Sequence, residues 1–118
     1  MPVKIAEDTL DGIVRKIGFK VITPDMKSLG LRGNPNILEY SLGDWIFVPE
    51  EQVVPGKSNF GGIWLARTAG NARKLQKYIK EEHGVDARVF KAAIDRILYL
   101  NDYRIKTNGV MLYEEVFL

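Results

Sequence analysis

Cysteine is absent from the 118-residue chain, and with it go disulfide frameworks, thiol nucleophiles, iron–sulfur clusters and cysteine-based zinc sites. Histidine occurs once, at His83, so a Ser-His-Asp triad or a multi-histidine metal centre would rest on that residue alone. Its place beside Gly84 suits a cation at a helix C-terminus, which needs no ligand to justify it. No metal and no cofactor are expected. No apolar run approaches the roughly 18 residues of a membrane helix. Residues Met1 to Leu10 carry Glu7 and Asp8 where a signal peptide would have a basic stretch followed by an apolar one. A cytoplasmic location without membrane contact is expected. A surplus of one charge is also missing: seventeen Lys and Arg face fifteen Asp and Glu, a net +2, whereas a dedicated polyanion binder usually carries a clustered basic excess. There is no internal repeat, heptad pattern or charge block.

What remains is ordinary in proportion. Apolar residues make up 46% and charged residues 27% of the chain, near the globular average, so one domain over residues 1–118 is expected. Leu10, Ile13, Val14 and Ile17 recur at i, i+3, i+4 and i+7, and this spacing predicts a helix over Glu7 to Ile17 that Gly18 caps. Phe19 to Thr23 reads as a short strand ended by Pro24-Asp25. Gly30, Gly33 and Pro35 make Asp25 to Asn36 a long loop. Ile37 to Tyr40 and Asp44 to Val48, joined by Ser41-Leu42-Gly43, predict a hairpin. Gly61-Gly62 opens a strand through Ala66 at a point where backbone must approach something closely.

The period then changes. Thr68 can N-cap a helix with Ala72, Leu75 and Ile79 on one face and His83-Gly84 at its end. Val85 to Ile94 fits both helical spacing and alternation and is read as a strand. Ile97 to Leu100 and Tyr103 to Thr107 predict two strands around an Asn101-Asp102 turn. Asn108-Gly109 is a further turn signal, and Val110 to Tyr113 is a last strand that the Glu114-Glu115 pair breaks. Strands on both sides of one strong helix, without strict βαβ repetition, make the fold class α+β, with a mostly antiparallel sheet packed by one or two helices.

Few residue patterns carry chemistry. Gly61-Gly62 precedes a strand, whereas a phosphate loop needs a helix N-terminus directly after it. Arg67 and Thr68 stand where helix N–H groups and a guanidinium could hold an anion together; the plainer reading is a cap and a surface arginine. Arg73, Lys77 and Lys80 share one helix face at i, i+4 and i+7, a stripe able to follow a nucleic-acid backbone but more often a solvated face, here diluted by Glu81 and Glu82. Adjacent Glu114 and Glu115 point to opposite sides of a strand, which leaves one for any cleft and argues against a two-carboxylate glycosidase. Trp45 and Trp64 are read as core and sheet-face residues. The loop Lys27 to Asn36, with Lys27, Arg32 and two asparagines, is long enough to be a recognition element.

Gly61-Gly62-Ile63-Trp64, Thr68 with Ala72, Lys20-Val21 and Ser28-Leu29-Gly30 together resemble small domains of phages and prokaryotic mobile elements to which no activity is attached. Some of those are similar to the compact split sheets of ADP-ribosyltransferase-like folds, in which an early-strand Arg or His and a late-strand Glu hold a nicotinamide dinucleotide. The resemblance would place Lys20 at the early position and Glu114 or Glu115 at the late one; lysine departs from the Arg or His of that pattern. The leading expectation is a non-catalytic binding or accessory module that engages a protein partner. An ADP-ribosyltransferase-like enzyme is the alternative, with Arg67, Tyr103 or Arg104 on phosphate and ribose and Glu115 as the catalytic candidate. Weak nucleic-acid binding through Arg73, Lys77 and Lys80 comes third. The candidate ligand-binding set is Lys20, Arg32, Arg67, Thr68, Tyr103 and Arg104.

Overall fold

The computed structural model describes residues 4–30 and 37–117. Its first element corrects the expected N-terminal helix. Strands β1 (Glu7–Leu10) and β2 (Ile13–Ile22) form a hairpin, with Leu10 opposite Ile13 and Glu7 opposite Lys16. Asp11 and Gly12 both take positive φ, 50° and 79°, the geometry of a two-residue turn whose twist matches that of the strands it joins. The apolar residues at helical spacing do not form a buried stripe: Ile13 and Val14 are 54% and 63% exposed. A helix this short needs a surface to pack on. β2 instead finds a ladder with β5 (Arg88–Ile94), running from Ile17 opposite Ala93 to Ile22 opposite Arg88.

A second correction concerns the hairpin expected over Ile37 to Val48. Only β3 (Trp45–Phe47) is a strand there, and it pairs with β8 (Gly109–Val116), Trp45 facing Met111 and Phe47 facing Gly109. Glu39 bridges to Lys27 instead. The Gly43 N–H donates to the Leu112 carbonyl at 2.7 Å, which carries the chain across to β8 before it can double back. Of the expected long loop, residues 31–36, with Arg32, lie outside the described residues. Pro49 leads into one turn of 3₁₀ helix, Glu50–Gln52.

The middle of the chain follows the sequence closely. β4 (Ile63–Ala66) leads into α1 (Ala69–His83). Thr68 caps the helix by accepting from the Asn71 N–H at 3.1 Å, and Gly84 ends it with φ 67°. α1 is the single α-helix among the described residues. Beyond it come β5, β6 (Ile97–Leu100), β7 (Arg104–Thr107) and β8.

These last four strands form one long hairpin. Ile94 lies opposite Val110 and Ile97 opposite Thr107, so the β5–β8 pairing continues almost in register into the β6–β7 pairing. The turn expected at Asn108-Gly109 is instead a bend inside a continuous strand, and β8 runs on through Glu114 and Glu115 to Val116 without the expected break. Buried Asn108 fixes the bend: its amide donates to Asp95 at 2.8 Å, its side-chain oxygen accepts from the Arg96 N–H at 2.8 Å, and its carbonyl accepts from the Val48 N–H at 2.9 Å. The strand order is β3-β8-β5-β2-β4-β7-β6, with β1 attached to β2. β8 and β7 stand on opposite sides of the β5-β2-β4 centre, yet only Asn108 separates them in the chain. The sheet is therefore rolled until its two arms meet.

Rolling gives the sheet an inside and an outside. Ile22, Ile63, Leu65, Phe90, Ile105, Val110 and Leu112 fill the inside, while Phe19, Val21, Ala66 and Val89 pack outward against Ala72 and Ile79 of α1. The outcome is an antiparallel, mostly β form of the α+β class with one helix. No helix among the described residues is long and apolar enough to cross a membrane.

A cationic cleft beside the helix

Where α1 leaves the sheet, a cavity of about 380 Å³ opens between β2, β4, the first half of the helix, and the segments Ser28–Gly30 and Leu38–Tyr40. Its polar lining is Lys20, Ser28, Tyr40, Asn59, Asn71, Lys74, Tyr103 and Arg104, with Leu29, Leu38, Trp64 and Leu75 among its apolar walls. Three of these residues are cations. None of the described lining residues is a carboxylate.

Lys20 belongs to the floor because β2 alternates: Phe19 and Val21 turn toward the helix, which leaves Lys20 with Ile22 on the inner side. It is only 9% exposed. Its Nζ donates to the Trp64 carbonyl at 2.7 Å and lies 5.8 Å from the centre of the Tyr40 ring. Burial pulls its ammonium pKa down to about 8, since the charged form loses water and no carboxylate replaces it. Tyr40 is pushed the other way, up to about 12, by the same loss of solvent, partly offset by the Ser28 hydroxyl beside it. Its Oη makes no hydrogen bond of normal geometry, and neither does the buried Trp64 Nε1. Buried polar atoms of this kind cost about 1–3 kcal/mol each until something pairs with them.

One wall is braced from behind. The Arg104 guanidinium lies over Trp64, 4.1 Å from the ring centre, and Lys106 Nζ approaches the same ring at 5.7 Å. Lys106 is fully buried and donates to the carbonyls of Val54 and Gly56 at 2.6 and 3.1 Å, which ties the 54–56 segment to β7. Burial depresses its pKa as well. The close approach expected at Gly61-Gly62 is to this side chain: a Cβ on Gly62 would come within 2.6 Å of Lys106 Cε.

The cleft brings together three of the sequence candidates, Lys20, Tyr103 and Arg104. Thr68 stays at the helix entry as a cap. Arg67 acts as a strap, donating to the Asp102 carbonyl at 2.9 Å and the Lys4 carbonyl at 2.6 Å. Glu115 is not among the lining residues; Arg88 binds its carboxylate through two hydrogen bonds of 2.7 and 2.9 Å and holds its pKa below the usual carboxylate range. Glu114, on the opposite face, pairs with Lys91 at 3.0 Å. Along the basic helix face, Lys77 pairs with Glu81 at 4.0 Å and Lys80 with Asp86 at 2.8 Å, and these residues line a surface depression together with Arg73. No known family, curated protein or solved structure matches the chain.

The start of the expected recognition loop, Ser28 to Gly30, does line the cleft, whereas sequence reasoning missed Tyr40, Asn71 and Lys74 as lining residues. Lys74 had a legible signal, standing three residues, about one helical turn, after Asn71 in the first half of the helix. Tyr40 had none, because the strand assigned to it does not form.

Proposed function

We propose that this chain acts by binding, and that the cleft is its recognition element for an anionic group carried on a flat, apolar body. The observation that carries this reading is a lining with Lys20, Lys74 and Arg104 and no described carboxylate, in a cavity whose apolar walls include leucines and Trp64 and whose other polar groups are neutral. Its volume falls within the roughly 300–1,000 Å³ of small-molecule sites. Cations at such a site favour carboxylate or phosphate, and the unpaired Trp64 and Tyr40 donors await acceptors. A partner protein in the cytoplasm would satisfy the same chemistry by inserting an acidic terminus or side chain. Glu115 with its Arg88 partner lies outside this lining, so the observations favour binding over group transfer.

Benzoate and naphthyl phosphate should raise the melting temperature and alter tryptophan fluorescence, while benzamide and benzamidine should not. Lys74→Ala should weaken the anions by roughly three- to tenfold, and added salt should weaken them further. Equal responses to benzoate and benzamidine would discard the reading.

A further inference from the structure

Charge alone explains Lys74 at the rim, but Lys20 on the floor has a different setting. Its ammonium would have three protons to donate, and the described residues supply one acceptor, the Trp64 carbonyl. The titratable groups that share the cavity among the described residues are Tyr40, Tyr103, Lys74 and Arg104. On the strands beside it, Arg88 and Glu115 are committed to each other, and Lys91 and Glu114 likewise. No described carboxylate is therefore placed to hold Lys20 in its charged form, and its pKa of about 8 agrees with that arrangement. A lysine amine that is desolvated, lines a cavity and lacks a counter-ion is a nucleophile toward carbonyl carbon.

We propose that Lys20 captures the carbonyl of an anionic aldehyde or oxo acid whose charge rests against Lys74 and Arg104. This deepens the anion-binding reading, on which it rests, by naming the reacting group of the ligand. The amine lone pair adds to the carbonyl carbon while the carbon–oxygen π pair moves to oxygen. Both amine hydrogens then leave with that oxygen as water, and a C=N bond remains. Solvent supplies the protons that the departing oxygen takes up and accepts those that the nitrogen loses. There is room for the ligand: a dry cavity of about 150 Å³ admits benzene, and this one is more than twice as large.

The test is to incubate the full chain with 4-formylbenzoate and cyanoborohydride near neutral pH and to map the reduced adduct by peptide mass. One adduct is expected, on Lys20, formed at least about tenfold faster than on exposed Lys16, Lys57 and Lys77 because far more of its amine is neutral. Unreactive benzoate should slow it, and Lys20→Met and Lys20→Arg should abolish it. Mapping and benzoate competition on the unaltered chain decide the matter even if a variant fails to fold. Label spread over the exposed lysines with Lys20 unmodified would overturn carbonyl capture. In that case, benzoate that still changes tryptophan fluorescence leaves the anion cleft standing, and benzoate without effect removes both.

Discussion

Lys20 also makes the fold respond to pH in a direction opposite to that of an ion-paired lysine. In the unfolded chain it keeps its proton up to the ordinary value of 10.5, and in the folded chain it gives it up near 8. Between those values the unfolded state binds more protons, so raising the pH favours the folded state. Relative to Lys20→Met, the natural chain should gain on the order of 3 kcal/mol in urea unfolding between about pH 7 and about pH 10.5. Tyrosine titration contributes to both and cancels in the difference. A pH-independent difference would show that Lys20 is solvated. At this scale Lys20 came forward through the resemblance to ADP-ribosyltransferase-like folds, and Tyr103 and Arg104 as the phosphate and ribose contacts of that reading. Tyr40 did not stand out, since its role comes from what lies against it.

Among the elements, α1 was fully legible: a capping threonine, an apolar face and a terminal glycine are local signals that tertiary packing had no reason to override. Thr68→Ala should cost about 1 kcal/mol in urea unfolding, with no loss of the Arg67 strap to Asp102. Retention of full stability would mean that Asn71 N–H finds another acceptor. The β1–β2 hairpin was misread although its signal was present. Asp11-Gly12 is a strong hairpin marker, and it was outweighed by apolar residues that happened to fall at helical intervals. Edge strand β3 was half legible: its residues favour strand, but its partner lies more than sixty positions away at Met111 and Gly109.

For the molecule as a whole, the rolled sheet decides where the cleft forms. The bend at Asn108 lets β7 and β8 serve opposite arms of the sheet and sets β4 beside β2, with Phe19 opposite Ala66. Replacing Asn108 by alanine strands the Arg96 N–H and removes a donor from Asp95. Asn108→Ala should therefore lower the unfolding free energy by about 2–3 kcal/mol and weaken benzoate binding at a distance. A fully stable variant with intact binding would locate the determinant of the roll elsewhere.

The sequence by itself determined the class of fold, the helix and its limits, most strand positions and the absence of thiol chemistry. Each of these depends on spacing, capping or composition within a few residues. Only the tertiary structure decided that the last four strands are one bent hairpin, that two lysines are buried, and that Lys20, Tyr40, Lys74 and Arg104 share a cavity. Pairing across many residues depends on which partner strand is within reach. Burial of a cation depends on what closes over it, and neither is written in the local order of side chains.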